Sequence, residues 1–101
     1  MTNEQKAKAF IRAIKKFLDK IPNLKQYTIH DENQIYDAIV NNKDKWFWRF
    51  DITVEYYISI GQKDTSDWVT KLYKYLEVIT KSLDIENLIL PDIKFIAEVR
   101  N

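Results

Sequence analysis

The chain of 101 residues, 46% apolar and 14% aromatic, is sized for one domain around a single hydrophobic core and is too apolar to stay disordered. It has no cysteine, which excludes disulfides, zinc–thiolate centres, iron–sulfur clusters and thiol nucleophiles, and its single glycine excludes a glycine-rich phosphate loop. The formal net charge of +1 gives no global reason to expect nucleic acid, although the charge is uneven: residues 1–25 net +5 and the remainder nets −4.

Thr2 and Gln5 stand at capping-box spacing ahead of Phe10, Ile14, Phe17, Leu18 and Ile21, which recur at steps of three and four. That spacing predicts a helix over about residues 3–20, because Pro22 cannot continue it and disfavours a helical Ile21. Tyr27-Thr28-Ile29-His30 is a short β-prone stretch. Next, Asp31 can cap a short helix carrying Ile35, Tyr36, Ile39 and Val40, with Gln34 at the reciprocal position of a box; a strand over 35–40 is the competing reading. Asn41-Asn42-Lys43-Asp44-Lys45 is a polar turn.

From Trp46 to Ile60 the chain alternates, with Trp46, Trp48, Phe50, Ile52, Val54, Tyr56, Ile58 and Ile60 on one side. Phe47, Arg49, Asp51, Thr53, Glu55, Tyr57 and Ser59 take the other side. Strand side chains point to opposite faces in turn, so this reads as one half-buried strand. Its fifteen residues would span roughly 50 Å, well beyond a common strand, so a bend or bulge is expected, with Gly61 closing the run. Ser66 or Thr65 is placed to cap a helix over about 67–83, with Trp68, Leu72, Tyr75, Leu76, Ile79 and Leu83 on its apolar face. Leu88-Ile89-Leu90 and Ile93–Val99 read as two strands separated by Pro91-Asp92, the latter pairing with the long strand. The expected fold is therefore α+β: one domain over 1–101, an antiparallel-rich sheet with a long central strand at about 46–60, and helices at about 3–20 and 67–83 packed on one face.

Catalytic chemistry finds little purchase. One histidine and no cysteine leave no Cys–His pair, the serines lie in no nucleophile elbow, and neither HExxH nor an EF-hand loop is present. His30-Asp31-Glu32 could offer metal ligands, but consecutive strand residues diverge, and a capping turn explains Asp31 more simply. Asp51 and Glu55 share a strand face with Arg49 and Thr53, the pattern of a solvated charged ladder rather than an acid–base pair. No catalytic, cofactor or metal residue is assigned, and a non-enzymatic role is expected. The basic residues of the first helix, Arg12 and Lys16 among them, do not interleave with exposed aromatics as a base-stacking platform requires. No run is apolar enough to span a membrane, and the start of the chain lacks a signal-peptide stretch, so cytoplasmic residence is the expectation.

Phe47 and Tyr57 break an otherwise polar strand face. Aromatics are enriched at interface centres, so both are candidate subunit contacts; cover by a loop or by the first helix is the alternative. Arg49 and Glu55 on that face, and Arg12 and Lys16 on the first helix, complete the candidate interface set, since two halves of opposite charge can attract between copies.

The order of an opening helix (Phe10-Ile11-Arg12-Ala13-Ile14), a long central strand (Trp48 to Ile58), a second helix (Trp68 to Leu83) and a closing strand (Ile93 to Val99) resembles the tail-terminator and head–tail-joining proteins of long-tailed bacteriophages. The resemblance implies a subunit of a ring that caps a tail tube and meets other virion proteins, without catalytic residues. A ring needs two different patches that meet head to tail. The alternative is a small binding protein that inhibits a larger enzyme, of the immunity or inhibitor type.

Overall fold

The capping box forms as expected: in the computed structural model, Gln5 N–H donates to Thr2 Oγ1 at 3.1 Å and Thr2 N–H to Gln5 Oε1 at 2.9 Å. Such caps contribute about 1 kcal/mol by satisfying amides that the first turn leaves without partners. The structure describes residues 1–41, 47–59, 68–85 and 88–100, with the backbone alone at 47, 48 and 88–90. Their order is α1 (Asn3–Leu18), β1 (Leu24–Ile29), α2 (Glu32–Val40), β2 (Phe47–Ser59), α3 (Trp68–Ser82) and β3 (Leu88–Arg100). The expected contributions of Asn42–Lys45, Trp46, Ile60, Gly61, Thr65, Ser66 and Asp67 lie outside the described residues.

Residues 32–40 are helical, which resolves the helix–strand alternative and gives three helices among the described residues instead of the expected two. Ile35 and Ile39, four apart, are both buried, and this one-turn spacing decides the periodicity. Asp31 occupies the cap position, but with φ 56° its side chain makes no capping bond; its carbonyl instead accepts from the amides of Gln34 and Ile35. Asn23 and Asp84 also take positive φ, so three left-handed turns use Asn and Asp, whose short polar side chains tolerate that region.

Strand order is β1-β2-β3 in one mixed sheet. β1 runs antiparallel to β2 over residues 52–56, with a register irregularity between Leu24 and Gln26, so the bulge falls on the short strand rather than the long one. β3 runs parallel to β2 through the whole of both strands. The antiparallel-rich expectation is thereby corrected: α3 lies between the two strands in sequence and returns the chain to the end where β2 began. The expected break at Pro91-Asp92 is absent as well. Pro91 lies inside β3, buried, which is permitted because β3 is paired on one side only among the described residues and the missing N–H can face the other side. Tyr73 of α3 donates its hydroxyl to the Pro91 carbonyl at 2.7 Å.

Phe50, Ile52, Val54 and Tyr56 turn to one sheet face and join Phe10, Ile14 and Leu18 of α1, Ile35 and Ile39 of α2, and Leu72 and Leu76 of α3 in one core. The side chains of Trp48 and Phe47 lie outside the described residues. Aromatic contacts fix the third helix in place: Tyr75 stacks on Phe17 at 5.5 Å, and Trp68 meets Phe95 edge-on at 5.4 Å. The hydroxyl pKa of Tyr27 on β1 is pushed up, first by burial and then by a hydrogen bond to Asp19 just past α1. Thirteen strand residues stretch about 43 Å, and the molecule measures 50 × 22 × 20 Å. Its radius of gyration of 14.9 Å exceeds the roughly 13 Å of a compact domain of this length.

Candidate functional site

The face of the sheet turned away from the helices is a polar ladder, and the strand pairing dictates its neighbours. In register, Asp92 stands beside Asp51, Lys94 beside Thr53, Ile96 beside Glu55, Glu98 beside Tyr57 and Arg100 beside Ser59. On the other side Gln26 stands beside Glu55 and Thr28 beside Thr53. Side-chain pairing follows this order: Arg49 Nη1 approaches Asp92 Oδ1 at 3.3 Å, His30 Nε2 approaches Thr53 Oγ1 at 2.9 Å, and Gln26 donates to Glu55. The Arg100 guanidinium lies 3.7 Å from the Tyr57 ring centroid.

Lys25, in the β1 irregularity, donates to Glu98 Oε2 at 2.9 Å. That hydrogen bond, with the charge attraction behind it, holds Lys25 above the ordinary lysine value and Glu98 below the ordinary carboxylate value. The stabilisation from Glu98 is present above its unfolded-state pKa and is lost as pH falls through its depressed folded value. That from Lys25 is present below its unfolded-state pKa and is lost as pH rises through its raised folded value. The pair thus acts across the neutral range and fades at both extremes. Because both groups are exposed, its contribution is small and screened by salt. Lys25→Ala should lower the melting temperature slightly at neutral pH and low salt, and match the unsubstituted protein once Glu98 is protonated. A difference that persisted in acid would assign Lys25 some role other than its charge.

The candidate residues read from sequence separate into two groups. Arg49, Glu55 and Tyr57 share the outer sheet face, with Arg49 exposed and Glu55 and Tyr57 half-buried. Arg12 and Lys16 are exposed on α1, in the helical layer on the other side, so the structure does not bring them to the strand residues. Arg12 borders a depression of ≈ 380 Å³ between α1 and α2, where Lys15 pairs with Glu32 at 2.8 Å. Phe47 lies on β2, its side chain outside the described residues. Both signs of charge are present on the outer face, with Arg49, Lys94 and Arg100 among Asp51, Glu55, Asp92 and Glu98, so the acidic excess of residues 26–101 is not gathered there.

An open depression of ≈ 650 Å³ on the outer face is bordered by His30, Asp31, Asp51, Asp92 and Lys94. Its acidic groups do not converge: among the described residues no three His, Cys, Asp or Glu side chains are placed to hold a metal ion. No helix among them is long and apolar enough to cross a membrane.

The remaining surface feature is β3 itself. It is an outer strand, paired on one side only among the described residues. Ile96 on its outer face is 43% exposed, and Val99 on its inner face, beyond the cover of the helices, is 58% exposed. The interface set read from sequence omits this strand, although an alternation of opposite charges from Asp92 to Arg100 marks it. Comparison of the chain with models of protein families, with curated proteins and with solved structures finds no match in any of the three.

Proposed function

We propose that this chain is a non-enzymatic assembly subunit, which joins further copies of itself and other structural proteins through its sheet, as a tail-terminator or head–tail-joining subunit of a phage does in a ring. One observation carries the reading: a thirteen-residue outer strand that is paired on one side only among the described residues and carries the exposed apolar side chains of Ile96 and Val99. Unpaired edges invite pairing with another chain, and proteins that remain monomeric commonly shorten, bulge or cover them. The segregation of Arg12 and Lys16 from Arg49, Glu55 and Tyr57 onto opposite layers suits a head-to-tail contact, which needs two different patches. Assembly in a host cytoplasm and residence in a virion go with this reading.

Size-exclusion chromatography with light scattering tests it. The expected result is a discrete oligomer at high micromolar protein. A strict monomer at millimolar concentration, alone and with candidate virion partners, would overturn the reading and leave the inhibitor type in its place.

A further inference from the structure

The outer strand carries its own complement. Written out, its outer-face residues are Asp92, Lys94, Ile96, Glu98 and Arg100, and its inner-face residues Ile93, Phe95, Ala97 and Val99. Laid antiparallel against a second copy about a two-fold axis at Ile96, the strand sets Asp92 opposite Arg100 of the other copy and Lys94 opposite its Glu98. Ile96 then meets Ile96 on the axis. On the inner face Ile93 meets Val99 and Phe95 meets Ala97. No like charges face each other, and the exposed Ile96 and Val99 both gain apolar neighbours.

The main chain agrees with this register. A strand residue directs its N–H and C=O to the same edge, and the direction alternates along the strand. Pro91 suits the position whose N–H would have faced the open edge, where its carbonyl takes the Tyr73 hydroxyl. By alternation Ile93, Phe95, Ala97 and Val99 present their main-chain groups outward. Those residues fall opposite one another in the two-fold register, so 93 with 99 and 95 with 97 form the hydrogen-bonded pairs. Ile96 then occupies a non-hydrogen-bonded pair on the axis.

We infer that β3 is a self-recognition edge that pairs antiparallel with β3 of a second copy about Ile96, giving one continuous six-stranded sheet. The inference deepens the assembly reading and rests on it in taking a second copy as partner. The contact is isologous and closes at two copies, so a head-to-tail ring contact would use other surfaces. The existing side-chain bonds leave room for it: Lys25 holds Oε2 of Glu98 and Arg49 holds Oδ1 of Asp92, and the second oxygen of each carboxylate can accept from the other copy.

The chain has no cysteine, so single introduced cysteines report the register directly. Ile96→Cys should form a disulfide-linked dimer under mild oxidation, because a non-hydrogen-bonded antiparallel pair sets Cα atoms about 4.5 Å apart, within disulfide range. Lys94→Cys alone should not, since the two copies of residue 94 are four residues out of register. In light scattering, Lys94→Glu should weaken dimerisation about tenfold or more by facing Glu against Glu98. The double swap Lys94→Glu with Glu98→Lys should restore it, which a loss of folding could not do. An oligomer that ignores the swap and leaves Ile96→Cys uncrosslinked overturns this edge while sparing the assembly reading. A strict monomer at millimolar concentration overturns this edge, and one that also stays apart from candidate virion partners overturns both.

Discussion

Phe10→Ala is expected to lower the unfolding free energy by about 3–5 kcal/mol, the range for emptying a buried phenylalanine site. Phe10 is fully buried at the middle of α1, in the core shared by all three helices and the inner face of β2. The loss combines the transfer of the ring with a cavity that rigid neighbours cannot close. Domains of this size hold about 5–15 kcal/mol in all, so the variant should unfold at a much lower urea midpoint with an unchanged denaturant slope. Phe10→Leu, which keeps most of the volume, should cost far less. A loss below about 1 kcal/mol for Phe10→Ala would mean that α1 is not seated against the sheet as described.

Ile52→Asp should be more severe. Ile52 is fully buried, with Ile29 beside it in β1 and Ile93 beside it in β3, so it sits in the stretch of β2, residues 52–56, where all three strands pair. Truncating a buried isoleucine costs about 2–5 kcal/mol before any polar penalty, and an unpartnered carboxyl adds roughly 1–3 kcal/mol even when neutral. The sum reaches the whole stability of a small domain. At neutral pH the variant should show no cooperative thermal transition by circular dichroism. Acid should restore part of the structure, because burial raises the pKa of the new carboxyl and protonation removes its charge. Ile52→Val, which keeps the face apolar, should lose only about 0.5–1.5 kcal/mol. A folded Ile52→Asp at neutral pH would place residue 52 outside the core.

Periodicity was the most legible signal. The alternation from Phe50 to Tyr56 marks the buried and exposed faces of β2, and Thr2 with Gln5 marks the start of α1. Both are local: side-chain direction follows from backbone type, and a cap is closed by residues three apart. The second segment was ambiguous because Ile35, Tyr36, Ile39 and Val40 are as β-prone as they are amphipathic. Burial of Ile35 and Ile39 under α1 decided for helix. The candidate interface was legible only in part. Parity placed Arg49, Glu55 and Tyr57 on one face, but nothing local says that Arg12 and Lys16 lie on the opposite layer.

The amino-acid sequence by itself determined where α1, β2 and α3 form and which side chains they turn inward, because spacing of 3.6 or 2 residues and the capping residues act within a few positions. It also contained the alternation of opposite charges from Asp92 to Arg100. The tertiary structure decided the rest: that β3 runs parallel to β2, that Pro91 is accommodated inside a strand, and that β3 stands at the edge of the sheet among the described residues. Strand direction and neighbour are non-local choices, made by where α3 packs and by which apolar faces share one core. With β3 paired on one side only among the described residues, its charges can be read against the second copy inferred above.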